Sequence, residues 1–283
     1  RRSQEGAADQ AGLRYLNATR QSGRGMVQTF ERFAQQEFIS ASYQDPFVRS
    51  HPVAAKRLTR LRRMVERSPH ANKKDPAALQ LRHDLMRAKL AGYLRPPRAV
   101  LNKYPQSDQS MPALYARAIA SFFRGGQQGL SRALAQIDKL IAMRPKYAYF
   151  WELKGDLLMR SGRPREAIPF LRKARQLDPN ATLIKVQLAS ALLQLNDPKQ
   201  VKSSIKLLRQ TLLVDRNPRA YRTLADAFYR SGRRAEANAA IAQAAYLSGN
   251  LKRAKTFAQR AKPALKRGSP YWVMMDDILN SGA

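Results

Sequence analysis

The chain has 283 residues, 44% of them apolar, with 52 Lys and Arg against 20 Asp and Glu for a formal net charge of +32, and no cysteine. That apolar content is enough to bury cores, so disorder is not the default reading, while the lack of cysteine excludes disulfide staples, thiol catalysis and thiolate metal sites and fits either redox compartment. The charge sets a positive field that nucleic acid, anionic lipid or lipopolysaccharide would satisfy, although a compositional habit of the source genome explains it equally well.

No apolar run approaches the roughly 18 residues of a membrane span, and the N-terminus shows no signal-peptide core. The chain opens on Arg1-Arg2 rather than methionine, in what reads as the middle of a helix, so either a precursor was processed or, as that helix leads one to expect, the sequence continues upstream. Strand patterns are nearly absent and apolar residues recur at helical spacing, which predicts an all-α fold. Helices are expected over 4–18, 25–37, 53–65 and 77–94. The stretch 75–109, with Pro96, Pro97 and Pro105, reads as a helical connector or a degenerate repeat.

From Met111 onward the pattern changes to short paired helices separated by Gly or Asn turns. The clearest unit holds Trp151, Gly155, Leu158, Gly162, Ala167, Leu171, Ala174 and Pro179, which fits the tetratricopeptide pattern, with Lys154 standing where Leu is expected. Pro145 closes the preceding unit 34 residues before Pro179, the period of this repeat. Tyr115, Ala118, Ile119 and Phe122 form the first helix of that preceding unit. A third unit runs through Leu188, Ala189, Leu192, Ile205 and Leu208, its turn lengthened at Asn196-Asp197-Pro198, and a fourth through Tyr221, Leu224, Ala225, Phe228, Gly232, Ala237, Ile241 and Ala244. A partial fifth unit and a capping helix around Trp272 complete a superhelix. Trp151, Tyr115 and Phe228 are read as packing residues.

The histidines are His51, His70 and His83, and no G-x-S-x-G elbow, phosphate-binding glycine loop, dinucleotide fingerprint or H-E-x-x-H is present. His83 reads as part of a solvated helix face and His70, beside Pro69, as solvent-exposed. Glu5 and Asp9 lie one turn apart on one face of the first helix among Ala and Gly. By spacing alone they are an ordinary exposed pair, or a pair drawn toward something specific.

The pattern E-x-x-A-D-x-x-G, given by Glu5, Ala8, Asp9 and Gly12, resembles the glutamate helix of the gluzincin-type zinc metallopeptidases that include the CAAX-prenyl endopeptidases and HtpX. The segment from Gly25 through Phe33 resembles the family's next helix, and His51-Pro52 with Arg57 its later H-P-x₄-R motif. With the repeats, the chain is most similar to the periplasmic β-barrel-assembly-enhancing protease branch. The resemblance implies that Glu5 ligates Zn²⁺ in a His₂Glu site whose histidines come from an upstream H-E-x-x-H helix. It further implies that Asp9 orients a ligand imidazole and that Gly12 permits close helix approach. His51 would occupy the zinc's open position as a metal ligand or help hold the substrate; alternatively it is simply the residue before the proline that starts the next helix. Arg57 pairs with a carboxylate of the peptidase domain or is one more exposed charge.

The expected organisation is thus 1–70 as the C-terminal part of a zinc metallopeptidase domain, 71–110 as a helical connector, and 111–283 as the tetratricopeptide superhelix with its cap. The repeats would hold protein substrates or outer-membrane assembly machinery, in the periplasm, with an anionic membrane surface as a further partner of the basic charge. The chain by itself would be inactive. The competing reading is a non-catalytic basic adaptor for an anionic partner. Nucleic acid is disfavoured, because the aromatics sit at packing positions rather than interleaved with basic stripes.

Overall fold

The computed structural model describes residues 2–36 and 55–282, and their regular structure is entirely helical. Among these described residues no helix is long and apolar enough to cross a membrane. The chain divides into two compact units, Arg1–Asp84 and Leu85–Ala283.

The first unit contains α1 (Arg2–Ala18), α2 (Arg24–Gln36), α3 (Ala55–Glu66) and the opening turns of α4 (Ala77–Leu94). Leu13 of α1, Val27 of α2 and Leu58, Leu61 and Val65 of α3 form its core, with Met26, Phe30 and Phe33 packed around them. The turn between α1 and α2 needs Gly23, because a Cβ there would lie 2.7 Å from Val65 and 2.9 Å from Leu13. Two hydroxyls tie that corner to the segment after α3. Ser22 Oγ donates to the Ala71 carbonyl at 2.6 Å, and Ser68 Oγ donates to Asn17 Oδ1 at 2.5 Å. The helix expected over 53–65 is described from Ala55; Val53 lies outside the described residues.

The second unit continues through the rest of α4 and α5 (Pro97–Lys103) into a series of helix pairs. These are α6 (Met111–Phe123) with α7 (Gly126–Met143), α8 (Ala148–Arg160) with α9 (Pro164–Leu177), α10 (Thr182–Leu193) with α11 (Pro198–Leu212), and α12 (Pro218–Arg230) with α13 (Arg234–Leu247). Then come α14 (Leu251–Ala261), a 3₁₀ turn at Lys262–Ala264 and α15 (Pro270–Asn280). The pairs follow the phase expected from the repeats, and the whole is an all-α tetratricopeptide superhelix.

Its joints repeat because the sequence repeats. Gly162, Gly232 and Gly249 follow a serine at the ends of α8, α12 and α13 with φ of 71°, 75° and 75°. In each joint the next residue's N–H reaches back to close the helix, as Arg163 does to the Leu158 carbonyl at 3.0 Å, Arg233 to Phe228 at 2.9 Å and Asn250 to Ala245 at 2.9 Å. This left-handed glycine closure stops each helix in one geometry and sends the chain back along it. The long third turn is managed differently, by Asn196 at φ 54° and the Asp197 side chain capping α11 at Lys199 N.

Close contact within each pair depends on small residues. A Cβ at Gly155 would sit 2.6 Å from Leu171 Cγ, and one at Gly129 would sit 2.6 Å from the Ser121 carbonyl oxygen. Between them Ala133, Ala167, Ala174 and Ala237 are buried at the same kind of contact. Gly92 plays this part for α4, where a Cβ would meet Ile119 at 2.8 Å. Lys154, the departure from the repeat pattern, keeps its place by laying its ammonium 4.4 Å over the Phe170 ring and pairing with Asp138. Arg117, fully buried, donates to the carbonyls of Pro105 and Asp108 at 2.5 and 2.6 Å and fixes the turn that leads into α6.

Gly129→Ala and Gly155→Ala should each lower the stability of the second unit by about 1–3 kcal/mol, since the added methyl has no room. Gly6→Ala, where nothing lies within 4 Å, should be neutral or stabilising by up to about 1 kcal/mol. Urea denaturation of the three variants checks both statements.

Candidate functional site

The residues singled out on α1 converge on one cation. Glu5 and Asp9, one turn apart, face Arg57, which projects from α3. Arg57 Nε donates to Asp9 Oδ2 at 2.6 Å and Nη2 to Asp9 Oδ1 at 2.8 Å, a two-point grip, while Nη1 lies 3.0 Å from Glu5 Oε2. The guanidinium also sits 4.9 Å over the ring of Phe30 on α2. One side chain therefore joins all three helices through two carboxylates and an aromatic face. The hydrogen bond to Asp9, with the charges of Asp9 and Glu5, outweighs the cost of burial and raises the Arg57 pKa above its ordinary value. Asp9 is buried, at 5% exposure. Without the guanidinium its charge would be left in an apolar setting, which is the costly case.

Of the other sequence candidates, His51 lies outside the described residues. His83 is exposed on α4, and His70 is half-buried in its turn rather than solvent-exposed, because the backbone there folds over Ser68. Gly12 has ordinary room, a Cβ meeting Met26 at 3.6 Å; the close approach in this unit belongs to Gly23. Among the described residues no group of three His, Cys, Asp or Glu side chains converges to hold a metal. These residues do not make a zinc site by themselves. A catalytic zinc requires three protein ligands, of which Glu5 and Asp9 offer carboxylates alone.

A second polar cluster, not anticipated from the sequence, lies in the repeat unit. Glu152 and Asp156, one turn apart on α8, are both buried. Lys89 Nζ donates to Glu152 at 2.7 Å, Tyr93 Oη to Asp156 at 2.8 Å, Arg160 Nε to Asp156 at 2.7 Å and Gln187 Nε2 to Glu152 at 2.9 Å. Each carboxylate has a cation and a neutral donor, so both acids are matched in a joint linking α4, α8 and α10, although Gln187 Oε1 is buried there without a hydrogen-bond partner. The clue in the sequence is a pair of acids at i, i+4 between the packing positions Trp151 and Leu158. Burial, then the neighbouring Asp156 charge, pushes the Tyr93 phenol well above the ordinary tyrosine range.

The fold thus defines a tetratricopeptide-repeat protein joined to a separate small helical unit. Comparison with known families agrees: residues 158–227 match the tetratricopeptide-repeat model, and residues 1–65 match peptidase family M48. The chain combines an M48 peptidase segment with tetratricopeptide repeats. A search of curated proteins finds no match. Among solved structures, MamA of MSR-1 is 19% identical with a TM-score of 0.46, covering 62% of this chain and 98% of that one. PilF of Pseudomonas aeruginosa is 18% identical with a TM-score of 0.44, covering 70% and 98%.

Arg57→Ala should cost the first unit about 2 kcal/mol, since it strands the Asp9 carboxylate, and Arg57→Lys should restore only part of this because an ammonium cannot grip two oxygens in one plane. Chemical denaturation of the three proteins measures it. In the second unit the raised phenols of Tyr93 and Tyr115 ionise later in the folded than in the unfolded chain. Stability is then complete below about pH 10, where the unfolded phenol titrates, and falls as pH rises further. Tyr93→Phe should make that alkaline fall shallower, as read from melting temperatures across the range.

Proposed function

We propose that the chain is the C-terminal portion of a zinc metalloendopeptidase in which Glu5 supplies one metal ligand and Asp9 steadies a ligand histidine, the histidines coming from an upstream H-E-x-x-H helix. The observation that supports this reading most directly is the match of residues 1–65 to peptidase family M48, in a segment where Glu5 and Asp9 present carboxylates on one helix face. Arg57 fits the same reading as a positioning residue. A carboxylate has two oxygens and about four lone-pair sites, so engagement with a guanidinium leaves it chemically able to serve a second partner. Arg57 would hold the two acids in place, and Phe30 would hold Arg57.

In this reading the metal supplies the Lewis acidity for peptide hydrolysis, and the present chain supplies orientation and recognition. The repeats hold client proteins or partners of an outer-membrane assembly machinery near the cleft. The working location is the periplasm, with the basic surface able to lie against an anionic membrane; the family resemblance and the net charge of +32 support this.

The test is zinc content and casein cleavage by the gene product read from its natural start, compared with its Glu5→Gln variant and with the present chain alone. Loss of both zinc and cleavage in the variant, and no cleavage by the present chain, is the expected result. Unchanged zinc and cleavage in Glu5→Gln, or an encoded upstream segment without H-E-x-x-H, would overturn the assignment and leave a basic repeat adaptor.

A further inference from the structure

The repeat unit carries an open groove of about 1590 Å³ between α11 and the terminal helix α15, floored by α12 and α13. Its size exceeds the roughly 300–1,000 Å³ of a small-molecule cleft. At helix dimensions it corresponds to roughly ten residues of a guest helix.

The lining combines two chemistries. Val201, Ile205 and Leu212 of α11 face Tyr271, Val273, Met274 and Ile278 of α15 as two apolar walls, over a floor that includes Tyr221 of α12. Leu213, at the end of α11, is 87% exposed and Val273 is 45% exposed, an arrangement that costs solvation unless a partner covers it. Beside this strip Lys202, Lys206 and Arg209 recur at i, i+4 and i+7 on α11, with Arg216 beyond them.

The charge balance is one-sided. Six Lys and Arg side chains line the groove against the single acid Asp277. Arg230 and Arg233 are already paired with Asp226 and Glu236. Among the described residues, no carboxylate forms an ion pair with Lys202, Lys206, Arg209 or Arg216; Arg209 lies 5.6 Å over the Phe228 ring and hydrogen-bonds Tyr271, and the charges of all four are left for an incoming anion.

We propose that this groove is the docking site for an acidic amphipathic helix of a partner protein. Its apolar face would cover the strip between α11 and α15, and its carboxylates would meet Lys202, Lys206, Arg209 and Arg216. A polyanion without apolar groups would leave Leu213 and Val273 in water, and an uncharged helix would leave four cations unanswered; the acidic helix satisfies both. The inference rests on the reading that the repeats bind polypeptide and is independent of the peptidase reading.

The experiment uses the present chain and a fluorescent ~12-residue probe with Leu at helical spacing and Glu elsewhere, followed by anisotropy. Lys202→Glu with Lys206→Glu, and separately Val273→Asp, all at exposed positions, should each weaken binding by about tenfold or more while melting temperatures stay unchanged. A probe with Lys in place of Glu should prefer the charge-reversed protein, which a merely structural effect would not produce. Replacing the Leu residues of the probe by Ser should also abolish binding.

Binding unaffected by the three substitutions, with casein or the probe still held elsewhere on the repeats, overturns the groove while sparing the wider reading. No binding of either polypeptide overturns both. Equal binding of the Ser probe, or phosphatidylglycerol vesicles captured through Lys202 and Lys206 when the probe is not, overturns the acidic helix in favour of a purely electrostatic surface.

Discussion

A pair of short helices cannot bury its own apolar face. Every pair in the second unit depends on the next one to cover what it leaves open. This constraint orders the rest: the two helices of a pair must approach closely enough to act as one slab, and the slab must then plug the following pair. Gly129, Gly155 and the buried alanines meet the first demand, and Leu171, Leu208, Tyr221 and Phe228 meet the second. At the end of the series α15 supplies the cover that a further repeat would have given, with Met275 and Ile278 buried against α13 and α14.

The first unit solves its problem with charge as well as packing. Among the described residues its core holds five buried apolar side chains from three helices, and the Arg57 contact adds directional bonds to it. Partial burial strengthens those bonds and makes each partner dependent on the others. The same physics governs Glu152 and Asp156 in the second unit, where acids buried on a repeat helix are matched by Lys89, Tyr93, Arg160 and Gln187. In both units buried charge is tolerated because it joins three helices at once.

The repeats were legible in the sequence because their determinants are local. A glycine after serine, an alanine at the helix contact and a closing proline recur at a fixed spacing, and each acts through its own backbone or nearest neighbour. Glu5 and Asp9 were legible as a shared helix face for the same reason. The grip between Asp9 and Arg57 spans 48 residues of sequence, and periodicity within one helix says nothing about such a partner. The groove was invisible for a related reason, since its walls come from α11 and α15 and the basic spacing at Lys202, Lys206 and Arg209 reads by itself as a solvated face. Lys154 stood out as an exception to the repeat, and only the ring of Phe170 beneath it explains why the exception is harmless.

The three Ser-Gly joints carry a consequence for how such a protein changes over time. Because Gly162, Gly232 and Gly249 close their helices in one backbone geometry, the chain leaves each joint in a comparable direction. Gain or loss of a whole repeat at such a joint returns the chain to an equivalent position, whereas gain or loss of part of one does not. The superhelix is therefore free to vary in length by whole units while its terminal helix travels with the last of them, and a surface built from that helix and the pair before it would be inherited intact.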